Sequence, residues 1–413
     1  MRPQAFLLTI GAELLKGSVL NTNSQFLSKG LSGLGVEVTG HGSCPDEIPA
    51  IATSLKQALA QADLVVITGG LGPTPDDVTR EALALFFHVP LLFSKNQFRR
   101  IQRVYRRYGR RVPQLVRREA FYPENAVPMI NRYGIALGFY IPVGVRKLVV
   151  VLPGVPLEAE RMYDELVVPL VRRHFEPLQP KPALIAKILG HSEPDVMRKL
   201  GKSFFSIPFE FGIYPAPGEV TLRLYAESPE IIQKLRNFLR RKFGRSIFTE
   251  TDISLAEAVG SQLIKRKATL AVAESCTGGL LASEITGVPG SSRYFLGGSI
   301  CYHNRLKEQL GVASATLRKY GAVSVQTAKA LAQGIRRQTG ASFGIGITGI
   351  AGPGGGTNAK PVGLVYIGLS SAKHTEVGRY LIFGGRRQVQ WKASQKALER
   401  LWHFLHRNSR GRR

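Results

Sequence analysis

The chain has 413 residues, beyond the roughly 250–300 at which one hydrophobic core stops growing, so two or three domains are expected. With 44% hydrophobic and 21% charged residues it has the composition of a globular protein, which excludes disordered and collagen-like classes. Lys and Arg exceed Asp and Glu by 27, a balance that attracts polyanions and phosphorylated small molecules alike and says nothing of fold.

The opening FLLTI run is five residues long and ends before Glu13, too short for a signal-peptide core. No apolar stretch approaches the roughly 20 residues of a membrane span, so no membrane partner is expected. Three cysteines, Cys44, Cys276 and Cys301, make no disulfide framework and fit a reducing compartment, so a cytoplasmic location is expected.

Up to about residue 172 the pattern alternates. Phe6–Ile10, Val36–Thr39, Leu64–Thr68 and Leu148–Leu152 read as strands, and Asn23–Leu34 and Ile48–Ala62 carry helical spacing. Alternation of this kind predicts a mostly parallel sheet covered on both faces, with ligands beyond the carboxyl ends of its strands. Three loops fall there. Gly11-Ala-Glu-Leu-Leu-Lys-Gly17 offers Glu13, and Leu152-Pro-Gly-Val-Pro-Leu-Glu158 offers Gly154. The run Thr68-Gly-Gly-Leu-Gly-Pro-Thr-Pro-Asp-Asp77 offers Gly69, Gly70, Gly72, Thr74, Asp76 and Asp77. Its two carboxylates at a helix start either cap that helix or hold a divalent cation against phosphate oxygens.

From Lys95 to Arg118 there are ten basic residues and no acidic one. Arg99, Arg103, Arg106, Arg107 and Arg110 share one helical face, and Ile101, Val104, Tyr105 and Tyr108 the other. The strip is either a surface for nucleic acid or an acidic membrane, or a solvated helix face, and the absence of aromatic residues among the arginines favours the last.

Pro177 and Pro180 mark a linker. The segment 178–250 reads as a small α+β module: strands Ala183–Leu189 and Val220–Ala226, helix Pro229–Phe243, and one histidine, His191. From Ser254 alternation returns. Strands are expected at Leu270–Ala273, Tyr294–Tyr302, Phe343–Thr348 and Gly363–Leu369, and helices at Gly278–Ile285, Val325–Gln338 and Val389–His406. The tail Arg407–Arg413, with four arginines in seven residues, reads as a frayed terminus.

Ser275 stands where the run Thr269–Ala273 gives way to Cys276-Thr-Gly-Gly279 and a helix. A hydroxyl at such a turn is held at a fixed point beside helix-start amides, expected to be unpaired and open to an oxyanion or phosphate. Serine needs a base, and Lys307 is near in sequence, with Tyr302 and Asn304. A lysine shielded from water loses part of its preference for the charged form. The plain alternative is an N-cap with a glycine turn and a surface lysine. A second loop, Gly344–Gly356, has seven glycines in thirteen residues and contains Thr348; it reads as a cradle for a phosphate or flat ring.

Six runs in order carry a resemblance: Ala273-Glu-Ser-Cys-Thr-Gly-Gly279, Pro289-Gly-Ser-Ser292, Tyr302-x-Asn304-x-x-Lys307, Gly321-Ala-Val-Ser324, Gly349-Ile-Ala-Gly-Pro353 and Lys360-Pro-Val-Gly363. Over residues 254–405 the chain resembles the CinA C-terminal domain, which is similar to bacterial nicotinamide mononucleotide deamidases. The resemblance implies a Ser/Lys amidohydrolase in which Ser275 attacks the carboxamide, Lys307 is the base and Tyr302 assists, with no cofactor. Thr277, Gly278, Gly279, Asn304, Thr348, Gly349, Gly352 and Gly355 would bind the substrate.

The first segment resembles the CinA N-terminal domain, similar to the molybdopterin-binding fold of molybdenum-cofactor proteins. Asp77 and Asp46 match that fold's two acidic residues. Some members couple the domain to ADP-ribose pyrophosphatase activity with a divalent metal, for which Asp77 is the candidate ligand. The chain departs from the family at Pro45-Asp46-Glu47, usually Gly-Asp-Asn, and at Ile135-Ala-Leu-Gly138, usually Thr-Ala-Pro-Gly.

The run Tyr214-Pro-Ala-Pro-Gly-Glu-Val-Thr-Leu-Arg223 resembles the family's KH-like module. It lacks the Gly-x-x-Gly loop that clamps nucleic acid, so a structural role in a homodimer is expected. The expected fold is α/β: two three-layer α/β domains with mostly parallel sheets, at 1–172 and 254–413, joined by the α+β module at 178–250. The expected partners are nicotinamide mononucleotide and ADP-ribose. The competing readings are a nucleic-acid-binding protein tied to competence or DNA damage, and a pterin-binding protein of molybdenum-cofactor synthesis.

Overall fold

A computed structural model describes residues 2–407, so the arginine-rich run at 408–413 lies outside the described residues. The chain divides into two compact units, Met1–Lys181 and Pro182–Arg413. No helix among the described residues is long and apolar enough to cross a membrane.

In the first unit, strands β1 (Gln4–Ile10), β2 (Glu37–Cys44) and β3 (Leu64–Thr68) precede a small hairpin of β4 (Leu91–Phe93) and β5 (Phe121–Pro123). Then come β6 (Val127–Met129), β7 (Gly138–Val143) and β8 (Lys147–Leu152). The sheet order is β2-β1-β3-β8-β7-β6, with β2, β1, β3 and β8 parallel and the last two strands antiparallel. Successive residues of a strand point to opposite faces. Leu7, Val66 and Val150 therefore pack with Leu27 and Leu31 on one side, and Leu8, Ile67 and Val151 with Ile51 and Leu55 on the other. That makes the expected three layers. β2 runs past the expected Thr39 because Gly40 and Gly42 lie against the Phe6 ring; a strand faced by glycines carries no apolar alternation to read.

The arginine-rich helix spans Lys95–Arg107, anchored by fully buried Ile101. Arg99, Arg103, Arg106, Arg107 and Arg110 are exposed as expected. Tyr108 is not on the packed face: it lies at the C-cap and is 73% exposed, so one aromatic ring does stand among the arginines.

The second unit holds two sheets. Strands β9 (Ala183–Leu189), β10 (Glu210–Ala216), β11 (Glu219–Tyr225) and β12 (Ile247–Thr249) form an antiparallel sheet in the order β10-β11-β9-β12. It has its own core with the helix Pro229–Phe243. Strands β13 (Leu270–Glu274), β14 (Phe295–Ile300), β15 (Phe343–Gly349), β16 (Leu364–Ser370) and β17 (Thr375–Leu381) take the order β14-β13-β15-β16-β17. The first three pair parallel; β16 and β17 pair antiparallel.

The glycine run is not one loop. Residues 344–349 belong to β15, and only from Ile350 does the chain leave the sheet. Gly346 serves packing rather than ligand contact, because the helix Val325–Thr339 lies directly on it. A Cβ there would meet Ala332 N at 2.5 Å and Ala328 O at 2.7 Å, and backbone atoms inside a helix cannot retreat. Gly346→Ala is expected to destabilise this unit by about 3 kcal/mol, the upper end for overpacking. Urea unfolding followed by the fluorescence of Trp391 and Trp402 measures it; an unchanged midpoint would refute the close-approach account.

Candidate active site

β13 ends on Glu274 and hands Ser275 to the carboxyl edge of the parallel strands, where the Ser275 amide donates to Ile347 O at 3.0 Å. Glu274 is 1% exposed. Its carboxylate accepts from the amides of Gly279 (3.0 Å), Leu281 (3.1 Å) and Ala282 (2.8 Å). The helix Leu280–Thr286 is thus capped from within. The expectation of unpaired helix-start amides is corrected on this point: the acid just before the serine already occupies them. The amides of Gly278 and Leu280 close on the carbonyls of Ser275 and Thr277. Those of Cys276 and Thr277 donate to no carbonyl or carboxylate among the described residues. Gly278 and Gly279 take φ of 66° and 99°, which lets the chain turn sharply around the serine. The Thr277 hydroxyl is buried without a partner among the described residues.

Lys307 sits in the short helix Asn304–Gln309 and is 1% exposed. Its Nζ donates to the carbonyls of Cys301 and Tyr302, each at 2.7 Å. Burial draws its pKa below the ordinary lysine value, against an opposing pull from the thiols of Cys301 and Cys276. The amine is therefore within electrostatic reach of the residue that follows Ser275. Both thiols are held protonated by burial, Cys276 at about 12 and Cys301 at about 11.

Tyr302 is 58% exposed, and its hydroxyl accepts from Arg386 at 2.9 Å. The same guanidinium donates to Gly352 O at 2.8 Å. One turn further along the helix Arg386–Arg407, Gln390 donates to Cys276 O at 3.0 Å. Neither residue was marked by the sequence, since each reaches the site across a long chain separation. Thr348 is buried beside Ile347 and gives its hydroxyl to Ala322 O at 2.7 Å. Gly349 closes β15, and Gly352 packs on Val362. Asn304 and Gly355 are exposed and make none of these bonds.

The first unit has a cavity of about 420 Å³ at the carboxyl ends of β1, β3 and β8. The three expected loops meet there: Glu13, Asp46, Gly69, Gly70, Gly72, Asp76, Asp77 and Gly154 all line it. Thr74 does not; its amide (2.9 Å) and its hydroxyl both hold Asp77 Oδ2. Arg80, fully buried, donates to the carbonyls of Leu71 and Gly72, each at 2.7 Å, and fixes the loop from below. Asp46 Oδ2 accepts the Ala12 amide at 2.9 Å. With one oxygen of Asp46 and one of Asp77 so committed, and no three metal-ligating side chains converging among the described residues, these residues do not build a resident metal site. Asp77 is a loop anchor first.

Two further carboxylates line the cavity, Glu119 and Glu158. Glu119 is 2% exposed, and burial pushes its pKa from 4.5 to about 7; Arg80 opposes the rise, while Asp77 and Glu158 add to it. The folded chain thus holds a proton that the unfolded chain releases. The stability this gives is full below about pH 4.5, declines through about 7, and is absent above. Glu119→Gln, which cannot ionise, is expected to match wild type at pH 4 and exceed it by up to about 3 kcal/mol at pH 8. Hydrogen exchange of the β3 amides reads this, and a difference independent of pH would refute it.

Two family models match the chain: the CinA C-terminal domain over residues 252–405 and a probable molybdopterin binding domain over residues 6–173. A relative in Desulforudis audaxviator, whose name refers to competence damage, is 37% identical across 98% of this chain and 100% of its own. A CinA-like protein of Gemmatimonas aurantiaca is 36% identical across 96% of this chain and 95% of its own. Among solved structures, the CinA protein of Thermoplasma acidophilum is 31% identical, with a TM-score of 0.38, and covers 42% of this chain and 98% of its own. Identity at this level over nearly the full length of both partners places the chain in the CinA family.

Proposed function

We propose that the C-terminal unit is a cytoplasmic amidohydrolase that converts nicotinamide mononucleotide into nicotinic acid mononucleotide and ammonia. The observation that carries this reading is the dry amine of Lys307, held at 2.7 Å by the carbonyls of Tyr302 and of Cys301, whose own amide pairs with the carbonyl of Glu274, the residue before Ser275. A neutral amine has two hydrogens, and both have acceptors here. Its lone pair then occupies the remaining tetrahedral direction, free of water, and serves as a base.

In the first step Lys307 takes the Ser275 proton while Oγ bonds to the carboxamide carbon. The negative charge on the carbonyl oxygen falls to donors near the serine, and the amides of Cys276 and Thr277 are the ones left available. Collapse breaks the C–N bond; the Lys307 ammonium returns its proton to nitrogen, and ammonia leaves. Water, deprotonated by Lys307, then adds to the ester carbon; the C–Oγ bond breaks, the Lys307 ammonium returns its proton to Ser275 Oγ, and the acid leaves as its carboxylate with its proton passing to solvent. Arg386, fixed between Tyr302 and Gly352, offers a cation for the substrate phosphate. Purified chain incubated with the mononucleotide is expected to release ammonia equally with and without chelator; no release would defeat the reading.

For the first unit the reading is hydrolysis of ADP-ribose at its diphosphate, supported by the meeting of three strand-end loops at one cavity. Both substrates are phosphorylated products of dinucleotide breakdown.

A further inference from the structure

Residues 82–118 contain no acidic residue, and Arg99, Arg103, Arg106, Arg107, Arg110 and Arg111 are all exposed. None of the six has an ion pair or a side-chain hydrogen bond among the described residues. Exposure alone does not explain this. The side chains of Arg146, Arg198, Arg240 and Arg407 are 60% to 77% exposed, and each still meets an acid. Within the same segment Arg117 lies over the Phe93 ring and Arg118 pairs with Glu81. The six are thus a concentration of uncompensated charge on one short helix and its turn. Like charges a helical turn apart repel, and a polyanion relieves the repulsion.

Tyr108 is an independent sign. The helix closes at Arg107, and Gly109, at a φ of 64°, turns the chain so that the Arg110 amide returns to Tyr105 O at 3.0 Å. Tyr108 is carried off the packed face by this turn and stands 73% exposed. Its side chain has no ring, cation or hydrogen-bond partner among the described residues. The other exposed tyrosines all have one. Tyr133, Tyr214 and Tyr320 each carry a cation over the ring at 5.4–5.9 Å, and Tyr302 accepts from Arg386. A bare ring among bare arginines offers a stacking face beside an anion track.

The geometry points to a binding surface for single-stranded nucleic acid on the helix Lys95–Arg107 and the turn that ends it. The arginines hold successive phosphates, and Tyr108 stacks one base. Guanidinium forks take phosphate oxygens two at a time. Arginines four residues apart lie about 6 Å apart along the helix axis, and a flexible strand can follow them. Anionic lipid fits less well. A membrane-bound helix buries an apolar face, and here that face, with Phe98, Ile101 and Tyr105, is already packed against Val116 and Ala120. A duplex also fits less well, because its paired and stacked bases leave no free face for the ring. The inference rests on neither of the reactions read for the two units.

The test is fluorescence anisotropy of a labelled thymidine oligonucleotide, about 20 nucleotides long, titrated with the full chain. With about four phosphates neutralised the log–log salt slope is about −3, so Kd should rise about 50-fold between about 50 and about 200 mM salt. Arg103→Glu combined with Arg107→Glu is expected to weaken binding at low salt at least about tenfold and to flatten the slope by about 1.4. Lys234→Glu combined with Arg241→Glu removes the same charge from exposed positions of the helix Pro229–Phe243. That pair should change Kd by less than about threefold; an equal loss there would overturn the strip in favour of net charge. Tyr108→Ala should weaken binding about tenfold at an unchanged salt slope, and Tyr108→Phe should restore it. An unaltered Kd in Tyr108→Ala would overturn the stacked base, and with it the preference for a single strand. The same strand annealed to its complement should bind more weakly and be indifferent to Tyr108→Ala; tighter duplex binding would overturn the assignment. Vesicles of phosphatidylserine and phosphatidylcholine should bind the chain more weakly than the oligonucleotide does. Tighter vesicle binding that is lost with the arginine pair would make the strip a lipid surface instead. Unchanged melting by circular dichroism is the control for folding of every variant.

Discussion

Replacing Ser275 by Ala is expected to lower kcat for ammonia release by at least about a thousandfold, with little change in KM. The substitution removes one oxygen at a position that is 7% exposed. It leaves the backbone bond from residue 275 to Ile347 O, and the Glu274 cap that shapes the turn does not depend on the serine hydroxyl. The substrate would therefore still be held and the nucleophile alone would be missing. The adjacent thiol cannot take over, because burial keeps Cys276 protonated up to about pH 12 and a thiol without its charge is a weak nucleophile. Any cleavage of ADP-ribose by the first unit should be untouched. A steady-state ammonia assay on both proteins decides it; turnover near the wild-type level would move the nucleophile elsewhere.

The difference between what the chain reveals as a string and what its fold adds follows chain separation. β3 and β13 are legible because every residue is buried, which makes a continuous apolar run, and the helix Pro229–Phe243 because its buried positions recur each turn. β10 carries Gly212 and Pro215, β7 carries Pro142, and β17 is a half-exposed edge; none has an alternation to detect. At the site, Ser275 and Lys307 are close enough in sequence for spacing to suggest a pair. Arg386 and Gln390 lie 84 and 114 residues from their partners, where only the packed sheet brings them. Glu119 is hidden differently, as one acid after a stretch of arginines. The glycines of β15 misled because a glycine required by a helix above it looks, in one dimension, like a glycine required by a ligand.

Lys307 is the residue on which the chemistry turns, and two substitutions separate its roles. Lys307→Arg keeps a cation but cannot accept a proton near neutral pH, and Lys307→Met keeps the length of the side chain without a base. Both are expected to cut ammonia release by about a thousandfold or more, within the range of a lost general base. If the ammonium charge alone mattered, Arg would rescue part of the rate and Met none. Stability separates them further. Met leaves the carbonyls of Cys301 and Tyr302 without their donor, at about 1–3 kcal/mol each, yet it also removes a polar group from a site that is 1% exposed. Because burial lowers the folded-state pKa of Lys307 from 10.5, the unfolded wild type binds the extra proton between the lowered value and 10.5. Wild-type stability should therefore rise with pH through that window, and the Met variant should lack the rise. The catalytic profile has the same sign: wild-type kcat/KM should climb with pH as the amine loses its proton, with a midpoint below 10.5. A rate that falls over the same range would mean that the charged form does the work, and the base would have to be sought in another residue.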